Sequence, residues 1–399
     1  MDELYTFHQT TLGHRHIKDG TPCEDASLSL FEKERGYAIA AVADGHGSSI
    51  YARSRFGSEF AVNAAKEVFT AFAEKFREQP GALTERMSDD ETRRQTVRRI
   101  TDAILEHWLA AVDKHLQENP VTEEELAGMP EKFADMFRHE VDMPTLYGTT
   151  VIAALWMQDY LILVHQGDGR CAVFYDGGTF DQPIPWDKLC YDTYTTSLCE
   201  DSAAARFRSH VIDLREKPVA ACFLGTDGVE DSFRSMDDMH IFYMQLCRLI
   251  LEKQDNFVNG LAKTLPKLTK TGSQDDISVA GIADLKLLQA NIRTLMHYVV
   301  THTKKVQVDK VQQKIDMMRP VHQRNKEDLH NCELAVLEKA SAKLKPGEPL
   351  TRENLEKILL KADKRLTETC FDCIDARTVF EGYHKRYMEI LEMQKNGKS

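Results

Sequence analysis

No stretch of this 399-residue chain approaches the roughly 18 consecutive apolar residues that a membrane-spanning helix needs, so no membrane span is expected. The opening residues, MDELYTFHQT, hold no basic segment followed by an apolar one, which makes the cytoplasm the expected location. Positive charge is in deficit: 51 Lys+Arg stand against 63 Asp+Glu, a net charge of -12. A nucleic-acid binder needs a basic face, so nucleic acid is not an expected partner. The acidic surplus suits a chain that keeps itself in solution or gathers cations. No G-x-G-x-x-G or Walker loop occurs, which leaves no sequence basis for a dinucleotide or P-loop nucleotide site. Nine cysteines, odd in number and irregular in spacing, read as reduced thiols rather than a disulfide framework. Cys370 and Cys373 have C-x-x-C spacing but lack the second pair or nearby histidines of a zinc site.

Glycine is also scarce, but only in one region. Residues 284–399 hold three of the 21 glycines and carry apolar residues at helical spacing. They contain 22 Lys+Arg against 17 Asp+Glu, a net of +5, whereas residues 1–283 contain 29 against 46, a net of -17. The expected division is therefore a domain at 1–283 and a helical region at 284–399. In the latter the pattern predicts three or four helices, about 284–318 stopping at Pro320, 326–345 ending at Lys345-Pro346-Gly347, 351–368 with Thr351 as N-cap, and 374–394. The stripe Leu285, Leu288, Ile292, Leu295 should pack on something. A helical bundle on the first domain and a partner-binding or self-associating module are both compatible with it.

In the first region, β-branched and aromatic runs ending at Gly, Asp or Asn predict strands at about 5–10, 26–31, 37–43, 149–156, 160–166, 171–176, 208–213, 220–225 and 277–282. Hairpin joins are expected at WMQDYL and YDGGTF. Helical patterns fill about 50–78, 91–118, 122–140, 236–253 and 256–268, and 79–145 reads as a helical insertion. Ser48 or Ser49 is the expected cap of the first of these helices, where Ala52, Phe56, Phe60 and Ala64 recur at i+4. Strands joined mainly by hairpins, with helices grouped between them, point to a layered α+β domain.

What the sequence does have is carboxylates at strand ends. Glu24 and Asp25 precede a strand, Asp44 ends AIAAVADG, Asp168 ends LILVHQGDG, and Asp227 ends ACFLGTDG with Asp231 four residues on. Asp275 and Asp276 enter the last strand of the domain. Any single Asp-Gly reads as a turn. Gathered at one end of a β core, such groups repel one another and cost several kcal/mol each to desolvate. Hard cations with oxygen ligands relieve this, and Mg²⁺ or Mn²⁺ suits a few carboxylates, a backbone carbonyl and several waters.

The ordered set Glu24-Asp25, Asp44-Gly45-His46-Gly47, Gly148-Thr149-Thr150, Gly167-Asp168, Thr226-Asp227-Gly228 with Asp231, and Asp275-Asp276-Ile277-Ser278 resembles the metal-dependent protein serine/threonine phosphatases, the PPM or type 2C family. The resemblance covers about residues 8 to 283, and HIKDGTPCEDA is similar to a bacterial branch. It implies an αββα sandwich of two antiparallel β-sheets flanked by helices, with two ions, and a weaker third, at one end. It implies that Asp44 bridges two ions, that the Gly45 carbonyl binds one, and that Asp227 and Asp275 complete the other. Glu24 and Asp25 would hold ion-bound waters, and Asp168 and Asp231, with Asp227, the third ion. His46 matches the family histidine that protonates the leaving group, against the alternative of a core or turn histidine. The implied reaction is hydrolysis of phosphoserine and phosphothreonine in a phosphoprotein by a water activated between two ions, attacking in line without a phosphoenzyme.

One position departs from the family. Many members have a phosphate-binding Arg five residues before the Asp matched by Asp25; here it is Gly20. His16, Arg15 and Lys18 are the candidate substitutes. Segment 181–207 lies where the family has a variable flap, and Trp186, Tyr191 and Tyr194 there are either packing or peptide-contact residues. The competing function is a weak or inactive scaffold of the same fold that binds partners through its helical tail. The intact acidic set favours the phosphatase.

Overall fold

The computed structural model of the chain describes residues 3–191, 194–343, 345, 347–349, 351, 353, 354, 357 and 364–396. The chain divides into two compact units, Met1–His297 and Tyr298–Ser399. In chain order the first unit contains β1 (Leu4–Thr11), α1 (His14–Asp19), β2 (Ala26–Glu32), β3 (Tyr37–Ala43), α2 (Ser54–Phe76), α3 (Pro80–Ser88), α4 (Asp90–Glu118), α5 (Glu123–Ala127) and α6 (Glu131–Arg138). There follow β4 (Val151–Met157), β5 (Tyr160–Gln166), β6 (Arg170–Tyr175), β7 (Phe180–Asp181), α7 (Ala203–Arg206), β8 (Arg208–Asp213), β9 (Val219–Gly225), α8 (Asp227–Glu230), α9 (Met236–Lys253), α10 (Phe257–Thr271) and β10 (Ile277–Asp284). Helix α11 (Leu285–Ser341) runs from the first unit into the second, which also holds α12 (Lys364–Asn396).

The strands make two five-stranded antiparallel sheets, β1-β10-β9-β6-β7 and β2-β3-β4-β5-β8. Strand β3 shows why its sequence is apolar throughout. Tyr37, Ile39, Ala41 and Ala43 face a core shared with Val62, Phe69, Trp108 and Tyr147 on the helical side. Ala38, Ala40 and Val42, on the alternate face, meet Val173, Cys222, Leu224 and Ala280 of the other sheet. A strand buried on both faces loses the polar alternation of a half-exposed one. On the far side of the other sheet, Phe7, Phe174 and Phe223 meet Tyr243 and Phe257 of α9 and α10. The result is the helix–sheet–sheet–helix sandwich. Both expected hairpins form, Met157↔Tyr160 across Gln158-Asp159 and Phe174↔Phe180 across the Asp176–Gly178 turn.

Several local expectations need correction. Ser48 heads only a 3₁₀ turn, Ser49–Tyr51, without a side-chain cap bond, and α2 starts at Ser54 after Arg53. The expected helix at 122–140 is two helices, α5 and α6, divided at Gly128–Pro130. Helices α1 and α3 and the two-residue β7 were too short to show a period in the sequence. Pro320 does not stop α11, which continues to Ser341. A proline removes one N–H and crowds the preceding turn. Side chains from α12 pack across that point: Tyr387 bonds Arg319, and His322 meets Phe380, His384 and Tyr387. Pairs Gln312–Gln394, His322–His384 and Glu333–Arg377 show that α11 and α12 run antiparallel. Thr351 Oγ1 accepts from the Asn354 N–H at 3.3 Å, as an N-cap does. Pro346 and most of 351–363 lie outside the described residues, as do the side chains of Cys370 and Cys373. No described helix is long and apolar enough to cross a membrane.

Candidate metal centre

Antiparallel pairing brings the strand-end carboxylates to one end of the sandwich. The start of β2 lies against the end of β3 (Ala26↔Ala43), so Glu24-Asp25 and Asp44 become neighbours. The end of β9 lies against the starts of β10 and β6 (Gly225↔Val279 and Gly225↔Arg170), which assembles Asp227, Asp275 and Asp168. Loop contacts join the two sheets: Thr226 Oγ1 donates to Asp25 Oδ2 at 2.8 Å, and the Glu24 N–H donates to Asp276 Oδ2 at 2.7 Å. The acidic residues among these line a cleft of about 390 Å³.

Of the residues expected at the site, Arg15, His16, Glu24, Asp25, Asp44, Gly45, His46, Asp168, Asp227 and Asp275 all border this cleft. Asp231 does not, although its charge reaches Asp227 and Asp168. Lys18 is exposed outside it.

The turn after β3 is held by main-chain and hydroxyl contacts. Asp44 O accepts from Thr150 N at 2.8 Å and from Thr149 Oγ1 at 2.8 Å, and His46 N donates to Gly148 O at 3.1 Å. Position 45 has no room for a side chain, since an added Cβ would sit 2.5 Å from the Glu24 carbonyl oxygen. Ser54 Oγ donates to Glu24 Oε1 at 3.1 Å and Ser58 Oγ to the Glu24 carbonyl at 2.5 Å, so the first turns of α2 fix Glu24.

Burial, then the charges of Asp227 and Asp25, raise the Asp44 carboxyl well above the usual carboxylate range. Burial pushes Asp227 up to about 7 against a hydrogen bond from Asp44, with Asp168, Asp231 and Asp275 adding to the rise. Asp25 is likewise raised well above its ordinary value by burial and Asp276, and Asp168 is raised by burial against a bond from Thr195. His46 goes the other way. Protein encloses most of it although part of its surface stays accessible, and burial pushes its pKa down to about 4. Its ring meets Tyr51 edge-on with centroids 4.7 Å apart.

Among the described residues, no group of three or more His, Cys, Asp or Glu side chains is already disposed to hold a metal ion. The carboxyls instead face one another and a cation: Asp44 and Asp227 each perturb the other's pKa, and Asp275 pairs with Arg15 at 3.1 Å. The donor chemistry fits a hard cation. All-oxygen groups, crowded and desolvated so that their pKa values rise, are stabilised in their charged form by a divalent ion.

Several residues that shape the site had no role assigned to them from the sequence. Asp276 is buried and accepts from Gly13 N at 2.6 Å, Glu24 N and His16 Nδ1 at 3.0 Å. Buried Arg170 donates to Asp168 O at 2.6 Å and pairs with Glu230 at 2.5 Å. Thr150 Oγ1 accepts from Asp44 N at 3.0 Å. Asp276, the second acid of the QDD run, and Thr150, in the Gly148-Thr149-Thr150 set, carried a sequence signal, whereas Arg170 carried none.

The family model described as protein phosphatase 2C matches residues 12–266. No curated protein sequence matches the chain. Among solved structures, the chain is similar to a bacterial serine phosphatase at 15% identity, covering 70% of this chain and 98% of that one with a TM-score of 0.41. It is similar to the serine-threonine phosphatase 2C of Toxoplasma gondii at 12% identity, covering 70% and 94% with a TM-score of 0.45. It is also similar to the catalytic domain of the serine threonine protein phosphatase PstP in complex with two manganese ions, at 16% identity, 70% and 97% coverage and a TM-score of 0.38. The family match spans well over half of the chain and includes the residues of the cleft from Arg15 to Asp227; the chain belongs to the protein phosphatase 2C family of protein serine/threonine phosphatases.

Proposed function

We propose that the chain is a divalent-metal-dependent phosphoprotein phosphatase acting on phosphoserine and phosphothreonine. The observation that carries the reading is the convergence of Asp44, Asp227, Asp168, Asp25 and Asp275 on one cleft with His46 at its edge. Asp44, the Gly45 carbonyl, Asp227 and Asp275 would hold two Mg²⁺ or Mn²⁺ ions, with Glu24 and Asp25 orienting waters and Asp168 and Asp231 serving a third. What the ions supply when bound is a water acidic enough to attack phosphorus at neutral pH and positive charge opposite the phosphate.

The chain's own residues do the rest. The 148–150 segment fixes the Asp44–His46 turn. His46, kept neutral by burial in the free protein, would take up a proton when the phosphate's negative charge lies beside it and hand that proton to the departing serine or threonine oxygen, a poor leaving group otherwise. Arg15, 58% exposed at its side chain and reaching into the cleft, is placed to meet phosphate oxygens, with His16 behind it between Asp275 and Asp276. Lys18 lies outside the cleft and supports that role less than Arg15 does. The alternative of an inactive scaffold is disfavoured because nothing in partner binding would retain several desolvated, mutually repelling carboxyls.

The test is hydrolysis of a phosphoserine peptide by the full chain in EDTA, and again after Mn²⁺ or Mg²⁺ is restored. Activity should vanish and return. Unchanged turnover in excess chelator, or none with either ion, would overturn the reading.

A further inference from the structure

The helical insertion at 79–145 reaches the active-site turn through one buried cation. Arg53 has 5% of its side-chain surface exposed and uses all five guanidinium N–H groups. Its Nε and Nη2 donate to the two carboxylate oxygens of Glu125 at 2.8 and 2.9 Å. Nη1 donates to Asn119 O at 2.7 Å and to Tyr147 Oη at 2.9 Å, and Nη2 also reaches Pro120 O at 3.2 Å. The backbone N–H of Arg53 donates to Leu146 O at 2.8 Å. Tyr147 Oη bonds His115 Nδ1 of α4 at 2.7 Å, and Glu125 closes the capping box of α5 with Thr122.

All of this converges on segment 146–148. Tyr147 is fully buried, and Gly57 of α2 lies so close that an added Cβ would run into the Tyr147 carbonyl. The next residue, Gly148, accepts the His46 N–H and packs on the His46 ring: a Cβ there would sit 2.8 Å from His46 Cδ2 and 2.5 Å from Tyr51 Cδ1. A shift of the 146–148 backbone is therefore a shift of the imidazole.

We propose that Arg53, clamped by Glu125 and Tyr147, is a positioning residue that holds the His46 ring in its catalytic place, so that the insertion helices are part of the active-site scaffold. The inference rests on the phosphatase reading above for what His46 does, not for where it is held. The bidentate pair suits the task because its geometry is planar and fixed, unlike a lysine contact.

The experiment uses the full chain with Tyr147→Phe and Glu125→Gln, each the smallest change that removes a clamp bond, and His46→Gln as reference. Turnover is measured on a phosphoserine peptide and on p-nitrophenyl phosphate, with Mn²⁺ affinity by calorimetry. A displaced proton donor should lower kcat on the peptide about tenfold or more. The aryl phosphate, whose phenolate leaves unaided, should lose less than about threefold, with KM and Mn²⁺ affinity unchanged. In the His46→Gln background, Tyr147→Phe should add no further loss on the peptide. Equal losses on both substrates, or full additivity with His46→Gln, would overturn the proposal. If the wild type hydrolyses neither substrate, the phosphatase reading fails and a second readout decides this one. In metal-free protein with labelled histidines, the imidazole signal lost in His46→Gln should move in Tyr147→Phe. An unmoved signal would show that the clamp does not reach His46.

Discussion

Residues 1–297 and 298–399 are both rich in helix, yet they are held together differently. In the first unit, strands β3, β4, β5, β6 and β9 bury every residue. In the second, Ile315 is the one fully buried apolar residue among the described ones, while Met317 is 76% exposed. The first unit is a layered core that can hold mutually repelling carboxyls in place. The second is a helix pair with a narrow seam, where Glu333–Arg377 and His322–His384 contacts lie at the surface. A site of desolvated acids needs the first kind of packing, because only a rigid surround prevents the groups from relaxing into water.

The sharpest test of that contrast lies at the carboxylate cluster. Asp44→Asn should lower kcat by about a hundredfold or more, since it removes the group proposed to serve two ions. Asp168→Asn, at the cluster's edge, should cost less, and the acidic residues of 298–399 should cost nothing when neutralised one at a time. Steady-state kinetics at saturating Mn²⁺ with calorimetric metal titration makes the comparison.

Core truncations come next. Leu155→Ala, in a strand buried on both faces, should cost about 2–5 kcal/mol of stability. Ile315→Ala should fall near the lower end of that range, about 2 kcal/mol, because two helices can close on the gap. Denaturant unfolding followed by tryptophan fluorescence, with all three tryptophans at 108, 156 and 186, isolates the first unit, and loss of helical circular dichroism adds the second.

A smaller effect concerns the boundary. A chain ending at His297 should keep its metal affinity and most of its turnover. One ending at Ala283 loses the buried Leu288 and Leu295, and the Asn291 bonds to Asp176 and Gly177 at 2.8 Å. Each leucine contributes about 1.5–3 kcal/mol. The shorter chain should therefore melt earlier with the same active-site chemistry while folded. An inactive but folded 1–297 would break the division of labour.

The smallest effect is on pH. Burial, and then the His384 and Lys326 charges, lower the His322 pKa. A base whose folded pKa is depressed contributes stability that is complete above its unfolded value near 6.5 and is lost as the pH falls through the folded one. The helix pair should thus loosen slightly between pH 7.5 and 5.5, and His384→Gln should flatten that slope by removing one of the two charges. Helical circular dichroism of the second unit against pH measures it.

Much of the first unit was legible in the sequence because its signals are local. The apolar run of β3, the Asp-Gly strand ends and the two hairpins depend on neighbours a few residues apart. Asp44, Asp227 and Asp275 could be assigned to one site because strand polarity puts successive ends together. Pro320 misled for the same reason. A proline is a local stop signal, and the contacts that carry α11 past it come from Phe380, His384 and Tyr387.

By itself the sequence determined the layered α+β character of the first region, the acidic set and the helical character of the second, since periodicity and composition are written into consecutive residues; the two-sheet sandwich came from the ordered motifs' resemblance to a family. Only the tertiary structure decided that Asp276 is a buried acceptor for Gly13, Glu24 and His16, that Arg15 reaches the cleft while Lys18 does not, and that Arg53 meets Glu125 72 positions away. The physical reason is that a charged side chain's role follows from which partner and how much water surround it. Those surroundings are set by chain segments whose separation in sequence carries no trace of their proximity in space.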